Sequence, residues 1–445
     1  MKQNIYENLK KKIKSKDAKI AILGLGYVGL PLAVEFSKNK FNVIGYDISE
    51  DRISILNNGK SYIKGISDQT IKEIIKKNFN PTTDAKLLKE ADFKIICVPT
   101  PLEKDKTPDL KYIKSAAAAI SKNIRSGQFI ILESTTFPGT TENYLKIWLE
   151  ESSGLTVGRD FGLAFSPERM DPGNKKYGVK NTPKVVGGLT KEDTEVAAML
   201  YETVVKAGVI KVSKPRIAEA TKLLENIFRH VNIALINEMA LVFEKLDIDV
   251  HEVIKASSTK PFGFMPFYPG PGVGGHCIPL DPYYLSFAAR QKGMRPQFIE
   301  LSGEINDYMK IHAVNLVEEG LNQLGKPIRN SLVGIMGLSY KKDINDPRES
   351  PAIDILIDII ERGAKVKVYD PYIKEIHTKV GSFRSVSTPD TLFKGSDAVI
   401  IVTDHTEFNN LDYDSLIKMM RKKLIVDTRD VLGKYKNKDL LYFKI

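Results

Sequence analysis

The chain has 445 residues and a formal net charge of +11 at pH 7, which is too long for one ordinary core, so two or three domains are expected. With 42% hydrophobic and 27% charged residues it reads as a soluble globular protein, and no stretch carries the roughly eighteen consecutive apolar residues of a membrane span. The lysines are spread along the chain and no basic run is interleaved with aromatics, so the charge excludes a nucleic-acid partner and leaves a solvated surface that helps attract an anionic ligand.

In chain order, the charged N-terminus MKQNIYENLKKKIKSKDAK lacks the apolar centre of a signal peptide and predicts a cytoplasmic protein. AKIAILGL then reads as a short strand, YVGLPLAVEFSKNK as a helix and FNVIGYD as a second strand. Further apolar runs follow at FKIICV, QFIILEST and LAFSPE. Such alternation predicts a doubly wound, Rossmann-like parallel sheet. From Arg216 to about Lys245 there is no glycine or proline, and Leu223, Ile227, Val231, Leu235 and Met239 recur at helical spacing, which predicts one long central helix. Its stripe suits either a dimer interface or burial within one subunit. A second helix is expected near Asp249. The first pattern then restarts: SLVGIMGL, a helix PAIDILIDIIERG closed by Gly363, and AKVKVYD, which ends in the same Tyr-Asp pair as FNVIGYD. DAVIIVTD and KLIVDTRD complete the set. The expected fold class is α/β, with two Rossmann-like domains joined by a long central helix. The expected division is 1–212, 213–320 and 321–445.

Gly24-Leu25-Gly26-Tyr27-Val28-Gly29 follows a strand and opens a helix. In that context the first glycine makes the tight turn, the second lets backbone approach a pyrophosphate, and the third allows close helix–strand packing. The helix N-terminus supplies amide hydrogens and a positive dipole end. Asp47, at the end of the next strand, stands where a ribose-binding acid belongs and favours NAD, while the nearby Arg52 keeps a 2′-phosphate in play. The third region lacks this fingerprint. Its loop GLSYKKDINDPRESP carries Lys341, Lys342 and Arg348, which suits either a different phosphate-bearing ligand or plain solvation.

The two cysteines, Cys97 and Cys277, form neither a disulfide framework nor a metal site. Cys97 lies in an apolar run and reads as a passive buried thiol. Cys277 lies among the glycines and prolines of PGPGVGGHCIPLDPYYL. A thiolate beside a nicotinamide adds to an aldehyde, and the thiohemiacetal loses hydride to become a thioester that water hydrolyses. Glycines beside Cys277 would let substrate and nicotinamide approach the sulfur. Asp281, four residues on, is near enough to orient a water or a lysine. Each tetrahedral stage develops an oxyanion. Lys222 and Asn226, at i and i+4 on the central helix, share one face, although spacing alone fits ordinary surface residues equally well.

The motifs GLGYVGLP at Gly24, ESTTFPG at Glu133, SPERMDPG at Ser166, AEATKLLEN at Ala218, GVGGHCIPLDP at Gly272 and GLSYKKDINDPRESP at Gly337 run over nearly the whole length. Together, and in this order, the chain resembles the UDP-glucose/GDP-mannose dehydrogenase family. These enzymes oxidise the C6 hydroxyl of a nucleotide sugar to a carboxylate with two NAD and one water. The resemblance implies that Cys277 is the nucleophile, that Lys222 and Asn226 stabilise the C6 oxygen, and that Asp281 assists the lysine and the hydrolytic water. It further implies that Thr135 holds that water and that Glu168 is the general base of thioester hydrolysis. Tyr27, Val28, Thr100 and Thr135 join Gly24, Gly26, Gly29, Asp47 and Arg52 as candidate NAD contacts, with no metal. Glu168, Arg169, Lys222, Asn226, Gly274, Lys341 and Arg429 are candidate UDP-sugar contacts. A homodimer or higher homo-oligomer through the central helix is expected.

The sequence departs from the UDP-glucose branch of that family. Arg169-Met170-Asp171-Pro172-Gly173 stands where Phe-Leu-acid is usual, and His276 precedes Cys277. Lys260 is the nearest candidate for the cation that reaches a neighbouring subunit's substrate. This set resembles the branch acting on UDP-N-acetylhexosamines, of gluco or manno configuration, for surface glycan precursors. His276 suits either a sugar contact or loop packing. A two-electron hydroxyacid-type dehydrogenase would share the glycine turn but has no need of Cys277. A non-catalytic nucleotide-sugar binder has no need of the Lys222, Asn226, Cys277 and Asp281 set.

Overall fold

The computed structural model describes residues 2–63, 65–103, 105–169, 177–275, 277–433, 435 and 439–445. His276 and the Met170–Gly173 part of the SPERMDPG motif lie outside the described residues. The chain divides into two compact units. The first runs to Glu225 and takes in Tyr283–Arg295; the second comprises Asn226–Pro282 and Pro296–Ile445.

The first unit is built on eight strands: β1 (Lys19–Leu23), β2 (Asn42–Tyr46), β3 (Phe79–Thr82), β4 (Phe93–Ile96), β5 (Gln128–Leu132), β6 (Phe161–Phe165), β7 (Lys184–Gly188) and β8 (Val209–Val212). Their order is β3-β2-β1-β4-β5-β6-β7-β8. Pairing is parallel from β3 to β6, with Ile22 opposite Gly45 and Ile95, and β7 runs antiparallel to β6. Successive side chains of a strand point to opposite faces. Accordingly Ile20 and Ile22 enter one apolar cluster, and Ala21 and Leu23 enter another. Both faces are therefore covered, which explains why these strands read as unbroken apolar runs rather than alternating ones. Each fully buried Ile, Leu or Val contributes about 1.5–3 kcal/mol.

A helix over Lys2–Ser15 precedes the sheet, in a stretch to which the sequence reading assigned no element. Charged residues dominate its composition, but Tyr6, Leu9 and Ile13 are buried, and the Tyr6 hydroxyl donates to Asp193 Oδ1 at 2.9 Å.

The second unit repeats the scheme with β9 (Leu332–Met336), β10 (Lys365–Tyr369), the hairpin β11 (Glu375–Thr378) and β12 (Gly381–Arg384), then β13 (Ala398–Ile401), β14 (Leu424–Asp427) and β15 (Leu441–Lys444). The five-stranded sheet has the order β10-β9-β13-β14-β15 and is parallel throughout. Alternation again splits the strands between two clusters: Ala398 and Ile400 pack with Val333 and Ile335, Val399 and Ile401 with Phe393 and Phe408.

The central helix spans Pro215–Lys245, roughly 45 Å at 1.5 Å per residue. Pro215 opens it, where a missing N–H costs nothing. Leu223 and Ile227 are buried as expected, but Leu235 is 53% exposed. The stripe is not one face. Ala218, Leu223, Ile227, Ala234 and Ala240 turn inward, while Leu224, Phe228, Leu235, Val242 and Leu246 face outward. A short helix Val250–Ser257 follows, and Asp249 caps it through the amides of His251 and Glu252. Among the described residues no helix is long and apolar enough to cross a membrane.

Lys94 sits fully buried in the middle of β4, its Nζ reaching only as far as the Ala91 carbonyl at 3.4 Å. Burial, then the charge of Arg125, lowers its pKa to about 7. A lysine whose folded pKa lies below its unfolded value loses stability as pH falls through the unfolded value, and the loss is complete below the folded one. Parent stability should therefore rise between about pH 7 and pH 10. Lys94→Met should be more stable than the parent by about 1–3 kcal/mol near neutrality, with the gain shrinking by pH 10 in chemical denaturation.

Candidate active site

The glycine turn after β1 separates its three glycines by what surrounds them. Gly24 has φ +92°, its amide donates to Tyr46 O at 2.8 Å, and a Cβ there would lie 2.6 Å from Cys97 O. At Gly29 a Cβ would lie 1.9 Å from Gly24 O and 3.1 Å from the Ile22 side chain. At Gly26 a Cβ would meet nothing within 4 Å. So Gly24 and Gly29 are required by the turn and by the packing of the Gly29–Lys38 helix, whereas the protein itself leaves Gly26 free to carry a side chain. That helix begins after Val28, which offers no side-chain cap, so its positive end faces the turn. This hollow fits a dinucleotide pyrophosphate, and Tyr27 stands exposed beside it.

Asp47 is buried just past β2. Its Oδ2 accepts the Leu25 amide at 2.8 Å, its Oδ1 accepts the Ser49 amide at 2.9 Å, and Arg52 Nη1 lies 3.2 Å from Oδ2. Asp47 therefore stitches the end of β2 to the glycine turn, and Arg52 partners it. Thr100 lies in the loop after β4, where its carbonyl accepts the Tyr284 hydroxyl.

The second sheet carries a counterpart of this turn. Gly337, with φ +90°, donates to Tyr369 O at 2.8 Å. Asp370 Oδ2 accepts the amides of Leu338 and Ser339 at 2.7 and 3.1 Å. The shared Tyr-Asp pair thus marks a repeated device. The difference is His405, fully buried: its Nε2 donates to Asp370 Oδ2 at 3.0 Å, while its Nδ1 accepts the Asp343 amide at 2.9 Å. Asp370 Oδ1 accepts the amides of Tyr372 and Ile373, so this carboxylate is spent on its own protein. Lys341, half-buried, rides on the loop so anchored.

The cysteine loop lies in the second unit. Cys277 is exposed, and its carbonyl accepts the Asp281 amide at 2.8 Å, opening the Asp281–Arg290 helix. The Asn226 side-chain amide donates to Asp281 Oδ2, and both residues are buried. Cys277, Asp281 and Asn226 are therefore joined in one arrangement. Lys222, also buried, lies in the first unit one helical turn before Asn226. Both are buried, so the surface reading that spacing left open for them does not hold.

The glycines of this loop serve packing. A Cβ at Gly274 would lie 2.7 Å from Glu349 O and 2.8 Å from Pro351, and one at Gly275 would strike the Tyr340 ring at 2.7 Å. A Cβ at Gly270 would lie 2.5 Å from the Arg429 guanidinium. Arg429, expected at the nucleotide, here braces the loop and donates from Nε to Val402 O at 3.2 Å. Asn237, overlooked in the sequence, receives the Gly270 amide at 2.9 Å and donates to Asn306 Oδ1 at 2.9 Å. An asparagine inside a helix, on its inward face, was the available signal. Lys260 is exposed, its Nζ 5.0 Å from the centre of the Phe262 ring.

In the first unit, Glu168 follows β6 and Thr135 follows β5, half-buried. Arg169 makes a two-point contact with Glu225 at 2.6 and 3.2 Å and donates to Pro183 O at 2.7 Å. Behind Glu168 lies a buried cation absent from the sequence reading: Lys184 Nζ is 3.1 Å from Glu133 Oε2 and 3.6 Å from Glu168 Oε2. Glu219 of the central helix accepts the Thr141 amide and hydroxyl at 2.9 and 2.6 Å, together with the Gly139 amide, and so holds the loop after Thr135.

A glycine turn shaped for a pyrophosphate and a second, modified nucleotide-type sheet are the features of a dinucleotide-dependent oxidoreductase, and the exposed Cys277 stands four residues before the Asp281 that pairs with Asn226. Residues 18–205 match the NAD binding domain of the UDP-glucose/GDP-mannose dehydrogenase family, residues 216–308 its central domain, and residues 334–434 its UDP binding domain. The chain belongs to that family, as an NAD-dependent nucleotide-sugar dehydrogenase. It is 42% identical to protein CapL of Staphylococcus aureus over 90% of this chain and 93% of that one. It is 38% identical to UDP-N-acetyl-D-glucosamine 6-dehydrogenase of Pseudomonas aeruginosa, over 91% and 94%. The structure of UDP-D-ManNAc dehydrogenase from Pyrococcus horikoshii superposes with a TM-score of 0.90 at 34% identity, over 96% and 99%.

The glycine geometry separates folding from binding. Gly26→Ala should leave the melting temperature unchanged and weaken NAD at least tenfold, about 1.4 kcal/mol, by isothermal titration calorimetry. Gly29→Ala should instead destabilise the fold by about 1–3 kcal/mol or more, seen as a lower melting temperature without NAD.

Proposed function

We propose that the chain oxidises the C6 hydroxyl of a UDP-N-acetylhexosamine to the uronic acid in two NAD-dependent steps, with UDP-N-acetyl-D-glucosamine preferred, and that the acid serves surface polysaccharide synthesis. The observation that carries the reading is the exposed Cys277 one helical turn before Asp281, whose carboxylate accepts the Asn226 amide, since a two-electron dehydrogenase has no use for a thiol there. The substrate class is supported by the named relatives, one acting on the gluco sugar and one on the manno. The latter is the second reading.

NAD supplies the acceptor for both hydrides. Lys222 and Asn226 hold the C6 oxygen as negative charge develops on it. Cys277 Sγ adds to the C6 aldehyde, giving a thiohemiacetal whose oxygen rests on the same two donors. Loss of the second hydride leaves a thioester. Thr135 holds the water that attacks it, Glu168 takes that water's proton, and the C–S bond breaks to return Cys277 and release the carboxylate. Asp281 orients Asn226 and partners the lysine. Asp47 and Arg52 take the NAD ribose side, with Thr100, Tyr27 and Val28 around the cofactor. Lys341 and Arg429 take the UDP side, and Arg169 sits at the sugar. Lys260 reaches a neighbouring subunit. The three-part division at residues 212 and 320 and a cytoplasmic location belong to the same reading.

A homodimer through the central helix accompanies it. Leu224, Phe228, Leu235, Val242 and Leu246 recur at intervals of four and seven residues on an outward face and are all exposed, an apolar stripe of the kind a second helix covers.

Three nucleotide sugars, UDP-N-acetylglucosamine, UDP-N-acetylmannosamine and UDP-glucose, assayed side by side should give two NADH per sugar with the gluco N-acetyl sugar fastest; one NADH per sugar refutes the four-electron reading. Cys277→Ser should abolish acid formation while UDP-sugar binding survives, and normal acid yield from that variant refutes the thioester route. Leu235→Glu should shift the particle to monomer mass in analytical ultracentrifugation.

A further inference from the structure

Lys184 opens β7 and its side chain is buried, as are those of Glu133, which follows β5, and Tyr201, which lies on the Lys191–Glu202 helix. An ammonium has three donors and no acceptor. Here the ammonium donates to Pro167 O at 3.3 Å and lies within ion-pair distance of two carboxylates, 3.1 Å from Glu133 Oε2 and 3.6 Å from Glu168 Oε2. Glu133 is held on its other oxygen by the Tyr201 hydroxyl. Glu168 accepts its neighbour's amide, Arg169 N, on Oε1 at 2.7 Å. Cys97, just past the end of β4, is buried and feels the charges of the same group.

Among the described residues, Glu133, Glu168 and Cys97 act on the ammonium, and the Tyr201 ring lies beside it, its centre 4.9 Å from Nζ. Burial drives the Tyr201 hydroxyl and the Cys97 thiol up, so both stay neutral. Burial also raises Glu133, while the two carboxylates raise Lys184 against its own burial. Two carboxylates and one ammonium carry a net charge of −1. A proton delivered to Glu168 neutralises the cluster, and Lys184 with Glu133 stays behind as a balanced pair.

We infer that Lys184 is a positioning residue for thioester hydrolysis: its ammonium, 3.6 Å from Glu168 Oε2 and donating to Pro167 O at 3.3 Å, aims the Glu168 carboxylate so that it accepts the proton of the attacking water. The inference rests on the reading of Glu168 as the general base. Without the cation, the like charges of Glu133 and Glu168 would go uncompensated, and the pair would take up a proton more readily.

The test uses the full chain with NAD and UDP-N-acetylglucosamine. NADH formation is followed from the first turnover, and acyl-enzyme is detected by intact mass. Lys184→Met should retain a first burst approaching two NADH per site, accumulate the Cys277 thioester, and turn over ten- to a hundredfold more slowly at pH 7. The acid limb of the hydrolysis pH profile should move to higher pH. Lys184→Arg should restore most of the rate. Lys184→Met combined with Glu133→Gln should move the acid limb back, because the sum of charges is restored. A slower enzyme whose pH profile is unmoved, or one that builds up no thioester, overturns the inference. Glu168→Gln separates the two readings: a parental hydrolysis rate in that variant overturns the general base itself. Loss of hydrolysis there, together with an unmoved profile in Lys184→Met, overturns only the role of Lys184.

Discussion

At the end of the second strand of each sheet, a buried aspartate accepts the amide of the turn that follows the first strand: Asp47 that of Leu25, Asp370 those of Leu338 and Ser339. The same bond between a buried carboxylate and backbone N–H groups recurs wherever a loop must be held. Glu219 grips Gly139 and Thr141, and Asp427 grips Arg429 and Leu432. Each is a charge removed from water and compensated by fixed dipoles, stronger than a neutral hydrogen bond. Loops that must approach a ligand cannot bury apolar side chains, so these carboxylates supply the rigidity that a core supplies elsewhere.

The two sheets show how one device serves two ends. Around Asp47 the partners are two amides and an arginine that is itself half-exposed. Around Asp370 the partners are four amides, a hydroxyl and the buried His405. Because the Asp343 amide donates to Nδ1 of His405, the proton must sit on Nε2, and the ring acts as a fixed strut between Asp370 and the Lys341 loop. The carboxylate of the first turn has fewer protein partners. That of the second is spent on a rigid loop, in keeping with a UDP-binding rather than a dinucleotide-binding domain.

The fold was largely legible because strands covered on both faces are unbroken apolar runs. KIAIL, QFIIL, LVGIM and LIVD all lie where such runs predict. The Lys2–Ser15 helix was not legible, because three apolar residues among lysines form a face only once something packs on it. At the site, motif positions were readable but their partners were not. The motif that carries Arg429 gave no sign that it stands under Gly270, and Lys184 and Asn237 were passed over. A buried lysine at the start of a strand has the same one-letter signature as an exposed one, and only the two acids converging on it from distant segments reveal its state.

The central helix joins these elements in a way that constrains how the enzyme can work. Its inward face carries Lys222 and Asn226 together with Glu219, which holds the loop after Thr135, and Asn237, which holds the loop before Cys277. Its outward face carries the exposed apolar stripe. A straight helix is stiff along its axis, so residues fifteen to twenty positions apart cannot shift independently. One helix of 31 residues thus supplies side chains that fix loops, where ordinary packing is satisfied by three or four turns.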